Sequence, residues 1–101
     1  MNIGKIIGLV KNDKFIITNH ARIRMYQRNI STDELIELII NSEIIEDYPD
    51  DEPCPYALIL GFLKGIPYHI VLAECADHVR IITIYKPEED KWIDSRTRRK
   101  Q

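Results

Sequence analysis

Apolar residues Ile3, Ile6, Ile7 and Val10 fall at the spacing of one helical face, so residues 3–11 are expected to form a short amphipathic helix. Asn12-Asp13 reads as its stop. Phe15 to Thr18 follows as a short extended piece, and Thr18 or Asn19 can cap a second helix running to about Arg28, with Asn29 as a left-handed terminator. Ser31 and Glu34 have capping-box spacing, with Ile30 before them as a staple, and Leu35, Leu38 and Ile39 supply the buried face of a third helix ending near Asn41-Ser42. The periodicity then changes. Ile44 to Tyr48, Ala57 to Leu63, Tyr68 to Cys75 and Val79 to Tyr85 are β-prone runs bounded by turn signals. Gly65-Ile66 suggests a type II′ hairpin, and Asp77-His78 a second reversal. Pro87 ends the last strand, and Glu88 to Arg98, holding Trp92, is expected to be a short C-terminal helix.

The predicted architecture is α+β: N-terminal helices followed by a mainly antiparallel four-stranded sheet, in one domain spanning residues 1–101. A composition of 45% apolar and 30% charged residues supports a globular domain rather than a disordered chain. The core is thin at this length, so a partner protein or a second copy is expected as a further source of burial. No apolar run reaches membrane-spanning length, and the first ten residues read as a helix rather than a signal peptide. Cys54 and Cys75 lack metal-site spacing and are expected to be free thiols in a reducing compartment, the cytoplasm.

The net charge of −2 argues against a uniformly basic nucleic-acid binder but hides a dipolar distribution. Arg22, Arg24 and Arg28 cluster early, Arg96 to Lys100 cluster late, and acids concentrate over residues 43–52 and 88–90. On a helix, His20, Arg24 and Arg28 form one stripe bordered by Ala21 and Met25. Guanidinium groups bind phosphate oxygens in forked geometry, and an imidazole exchanges protons near neutral pH, so the stripe suits a phosphodiester. The competing reading pairs Arg24 and Arg28 with the acids of residues 43–52 and leaves His20 as a helix-start residue.

His69 interrupts an apolar strand. With a three-residue loop at 76–78 it lies opposite Tyr85, and a one-residue shift puts it opposite Lys86. Either neighbour offers a proton donor or phosphate contact, and a hydrogen-bonded core histidine is the alternative. His78, at a turn, is a weak candidate. The acids from Glu46 to Glu52 match no calcium-loop spacing and are read as a solvated loop or as a surface docking on the arginine stripe; no metal site is expected. The basic tail is either an RNA-backbone contact or a disordered end.

Several ordered positions together resemble a known family. These are Ile17-Thr18, His20-Ala21, Arg24-Met25, Arg28, Ile30-Ser31, Ile45 to Pro49, Asp51 to Pro53, Leu60-Gly61, Pro67, His69, Thr83 to Tyr85, Pro87 and Trp92. The chain is similar to a bacterial and archaeal domain-of-unknown-function family allied to the RelE- and BrnT-like toxins of toxin–antitoxin systems. That resemblance implies helices preceding an antiparallel sheet and a metal- and cofactor-free endoribonuclease acting on mRNA, on or off the ribosome, held by an antitoxin protein. His69, His20 and Tyr85 are then the expected catalytic residues, and Arg24 and Arg28 the phosphate-binding ones. The chain departs from such toxins in being slightly acidic. The alternatives are a non-catalytic protein- or nucleic-acid-binding module that keeps the toxin-like fold, and a regulator that binds nucleic acid without cutting it.

Overall fold

The computed structural model describes residues 2–100. Each helix begins and ends where local hydrogen bonding dictates. Helix α1 (Ile3–Lys11) is capped by Asn2, whose side chain accepts from the Gly4 N–H at 2.8 Å. Strand β1 (Phe15–Ile17) leads into α2 (Asn19–Arg28), and Thr18 joins them: its hydroxyl accepts from the Ala21 N–H at 3.1 Å and donates to the Ile82 carbonyl at 3.0 Å. Helix α2 ends with Asn29 at φ 57°. There the Ile30 N–H reaches Met25 and the Asn29 N–H reaches Tyr26, a Schellman closure that also packs Ile30 on Met25 in the core. Helix α3 (Thr32–Ile40) carries the complete Ser31–Glu34 capping box.

Strands β2 (Glu43–Tyr48), β3 (Tyr56–Leu63), β4 (Ile66–Glu74) and β5 (Val79–Tyr85) form an antiparallel meander. The sheet has a fifth member, because β1 pairs parallel with β5, giving the mixed order β1-β5-β4-β3-β2. The expectation of four strands fell short here: Phe15 to Ile17 is too short for its own pattern to distinguish a strand from a linker. The β3–β4 reversal also differs from its expectation. Lys64 and Gly65 both have positive φ between the paired Leu63 and Ile66, which defines a type I′ turn centred one residue earlier.

All three helices lie on one face of the sheet, above a core that includes Ile59, Ile70, Leu72, Ile81 and Ile84. Gly61 permits the close approach of α3 to β3: a Cβ there would stand 2.7 Å from the Leu38 carbonyl oxygen. No helix among the described residues is long and apolar enough to cross a membrane.

The opposite face is covered in part by the C-terminal segment, where the structure overturns the expected helix. Residues 92–98 form a small hairpin of β6 (Trp92–Ile93) and β7 (Thr97–Arg98), turned by Asp94 and Ser95, both at positive φ. Trp92 stands on the first strand of this hairpin. It is 5% exposed and packs on His69, and like Leu58, Leu60 and Ala73 it is buried outside the main core cluster.

The cysteines are a second correction. Cys54 and Cys75 form a disulfide, with Cα atoms 5.1 Å apart, not free thiols. Each lies two residues beyond the cross-strand pair Tyr56–Ala73, and the Glu74 N–H continues the ladder to the Pro55 carbonyl, so the β3–β4 register brings the two together. The thiol argument for a reducing compartment loses its premise.

Candidate functional site

Two bulges decide which side chains share the hairpin-covered face. In β2 the register shifts between Ile44 and Glu46, so Glu43 and Glu46, which simple alternation would put on opposite faces, both face the hairpin. In β5 the shift falls at Ile82. The β4–β5 loop is longer than expected, since Glu74 pairs with Val79 across residues 75–78. Alone, that loop would set His69 opposite Ile84; the extra residue in β5 restores His69 opposite Tyr85.

His69 is fully buried, the one polar or charged residue in that class among the described residues. Its Nε2 lies 2.6 Å from the Ser95 carbonyl oxygen and its Nδ1 lies 3.2 Å from the Tyr85 hydroxyl. A carbonyl can only accept, so Nε2 carries the hydrogen and Nδ1 accepts from the Tyr85 O–H. Burial holds the imidazole below its ordinary pKa, which keeps it neutral, and also raises that of Tyr85. The Trp92 ring meets His69 edge-on with centroids 4.4 Å apart, and Tyr85 does so at 5.2 Å. The positive φ of Ser95, costing about 1 kcal/mol for a non-glycine residue, belongs to the turn that presents its carbonyl to His69.

The tail is ordered by the acids of β2. Arg98 makes a forked contact with Glu46, Nε to Oε2 at 2.7 Å and Nη2 to Oε1 at 3.0 Å, while its guanidinium carbon lies 4.7 Å from the Trp92 ring centroid. The Tyr48 hydroxyl donates to the same carboxylate at 2.6 Å, and Arg96 reaches Glu43 at 2.6 Å. The Arg98 hydrogen bond holds the Glu46 carboxyl below its usual pKa, and Glu46 in turn raises those of Tyr48 and Arg98. The reading of the tail as a free, disordered end does not hold for Arg96 and Arg98, which are ordered against β2. The acids that were candidate partners of Arg24 and Arg28 are, at Glu43 and Glu46, taken by these two arginines instead.

Arg24 and Arg28 line a cleft of about 270 Å³ with Thr83, Tyr85, Lys86, Glu88, Lys91 and Trp92. Lys91 pairs with Glu88 at 3.4 Å, and Arg24 donates to Gln27 at 3.3 Å. Among the described residues, Arg24, Arg28 and Lys86 have no carboxylate partner, leaving the cleft a net excess of cations. His20 is exposed in the first turn of α2 and is not part of this lining. His78 bonds its neighbour Asp77 at 2.8 Å. A second cleft of about 170 Å³ opens on the other side of Tyr85, between Tyr48, Tyr56, Leu58, Val71 and Arg98. Among the described residues, no three His, Cys, Asp or Glu side chains cluster as a metal site.

Of the five expected residues, the fold thus joins Arg24, Arg28 and Tyr85 around one cleft and sets His69 directly behind Tyr85. Sequence reasoning did not single out Glu46, Tyr48, Trp92, Lys91 and the Ser95 carbonyl as parts of the site. Lys86 entered only as the alternative neighbour of His69. The even spacing of Arg96 and Arg98 was a usable signal for an extended segment, but the β2 bulge that aligns their partners left none.

The fold and site define a small α+β domain with a cationic cleft backed by a buried, neutral histidine. The chain belongs to a domain-of-unknown-function family, DUF4258, whose model matches residues 17–86. That span contains His20, Arg24, Arg28, His69, Tyr85 and Lys86, whereas the hairpin bearing Trp92, Ser95 and Arg98 lies beyond it. No curated protein and no solved structure matches the chain.

Proposed function

We propose that this domain is a metal-independent endoribonuclease acting on mRNA, the toxin half of a toxin–antitoxin pair built on a RelE/BrnT-like fold. The observation that carries the reading is the cleft shared by Arg24, Arg28, Lys86 and Tyr85, with the Tyr85 hydroxyl bonded to a neutral histidine. The two guanidinium groups would bind the non-bridging oxygens of a phosphodiester and stabilise the charge that builds there. The RNA 2′-hydroxyl attacks the adjacent phosphorus and the P–O5′ bond breaks, giving a 2′,3′-cyclic phosphate and a 5′-hydroxyl. His69 cannot touch RNA directly because it is buried. The 2′-hydroxyl proton would therefore pass to the Tyr85 oxygen as the Tyr85 proton passes to Nδ1, with the Ser95 carbonyl holding the resulting imidazolium. The same relay, reversed, protonates the leaving 5′-oxygen. His20 lies outside the cleft lining and receives no step.

The test is cleavage of labelled RNA by the purified chain in chelator, with and without ribosomes. Tyr85→Phe should lower the rate about 100-fold or more, and Arg24→Ala should weaken both binding and cleavage. Intact RNA under both conditions would overturn the proposal.

One observation favours a second reading, a non-catalytic module that binds a protein partner or a second copy. Both nitrogens of His69 are satisfied inside the fold, as in a structural histidine, while Ile23 and Tyr26 stand 56% and 88% exposed on α2. Overexpression separates the two: an unopposed ribonuclease arrests growth, and a binding module is tolerated.

A further inference from the structure

The second cleft has the composition of a nucleobase site. We propose that it receives a guanine of the RNA strand whose phosphate lies in the basic cleft, with Asp51 reading the base; this rests on the RNA reading above. The two clefts share Tyr85 as a wall, so a strand held by Arg24 and Arg28 can place a neighbouring base across it. Leu58 and Val71 make an apolar floor, and Tyr48, Tyr56 and Tyr85 surround it with aromatic rings, the surroundings on which unstacked RNA bases settle. The cavity is small for an extended ligand and suits one base.

Selectivity comes from the carboxylates. Both oxygens of Glu46 are engaged by Arg98 and Tyr48, so Glu46 is committed to the fold. Asp51 also lines the cleft, is exposed, and among the described residues its side chain has no hydrogen bond or ion pair. A carboxylate only accepts. Guanine alone of the four RNA bases offers two adjacent donors, N1–H and the 2-amino group, that one carboxylate can take together. Adenine and cytosine set an amino group beside a ring nitrogen whose lone pair repels the second oxygen, and uracil flanks its one N–H with carbonyls.

The experiment measures fluorescence anisotropy with 5′-labelled, fully 2′-O-methylated pentanucleotides, which lack the attacking hydroxyl, so binding is read whether or not the protein cleaves. UUGUU should bind about tenfold tighter than UUUUU. Inosine in place of guanine, lacking the 2-amino group, should fall between them. Asp51→Asn should bring the UUGUU to UUUUU ratio close to one, and amide shifts on titrating UUGUU should centre on Leu58 and Val71. Equal affinity for all sequences, lost in Arg24→Ala, would overturn the base site while leaving the phosphate cleft standing. A guanine preference that survives in Asp51→Asn would overturn it as well. No binding of any oligonucleotide at low salt would remove the RNA reading and the base site together.

Discussion

Removing the His69 side chain should detach the C-terminal hairpin and cost much of the domain's stability. The imidazole donates to the Ser95 carbonyl, accepts from Tyr85 and packs edge-on against Trp92, all without contact with solvent. His69→Ala loses two hydrogen bonds worth about 1 kcal/mol net each and leaves a ring-sized void in the layer beneath Trp92. The Ser95 carbonyl loses its partner, although the half-buried Tyr85 hydroxyl can turn to water. Loss of packing adds about 1–2 kcal/mol, so the total is about 3–4 kcal/mol. A domain of this size has about 5–15 kcal/mol in all, and its melting temperature should drop by about 15–20 °C. Urea unfolding followed by the emission of Trp92, the single tryptophan, reads global stability and hairpin seating at once. The emission should shift to the red in His69→Ala even before the main transition. His69→Gln, whose amide can still donate to Ser95, should recover about half the loss. A cost below about 1 kcal/mol, or unchanged Trp92 emission, would refute the argument that His69 anchors the hairpin.

Three further outcomes are expected. Because burial lowers the pKa of His69, its neutral form is favoured in the fold. Stability from this group is complete above the unfolded value of about 6.5 and falls as pH drops from there through the folded value. Unfolding midpoints measured against pH should therefore show a slope just below that value that is smaller in His69→Gln, since carboxyls held below their usual pKa, such as Glu46, contribute only at lower pH; an identical slope in both would contradict it. Gly61→Ala forces a Cβ to within 2.7 Å of the Leu38 carbonyl oxygen and should destabilise by about 2 kcal/mol, visible as a lower thermal midpoint, whereas Gly8→Ala, with open space around it, should not. Reducing the Cys54–Cys75 bridge, which spans 21 residues of sequence, should cost about 3 kcal/mol through the freed unfolded chain; urea midpoints unchanged by a reductant would show that the bridge does not constrain that chain.

Local chemistry made the helical half legible. Thr18, Asn29 and the Ser31–Glu34 pair satisfy backbone groups within a few residues of themselves, so their roles need no distant partner and stand in the structure at their expected positions. The stripe from Arg24 to Arg28 was readable for the same reason, since helical spacing fixes which side chains are neighbours. Pairing across the sheet is different in kind. The His69–Tyr85 contact was one of two registers the sequence allowed, and it arises from a longer loop and a bulge whose shifts cancel. No hydrophobic pattern announces a single extra residue in a strand that is apolar throughout.

The sequence by itself determined the three helices, the caps at Thr18, Asn29 and Ser31, the order of the four main strands, and the presence of cations at fixed spacing on α2. All of these follow from interactions within one turn or one strand. Only the tertiary structure decided that β1 joins the sheet, that the tail folds as a hairpin on Glu43 and Glu46, that the two cysteines meet, and that His69 is sealed behind Tyr85. Each of those depends on register between segments distant along the chain, and register is set by the sum of many weak packing terms rather than by any one residue.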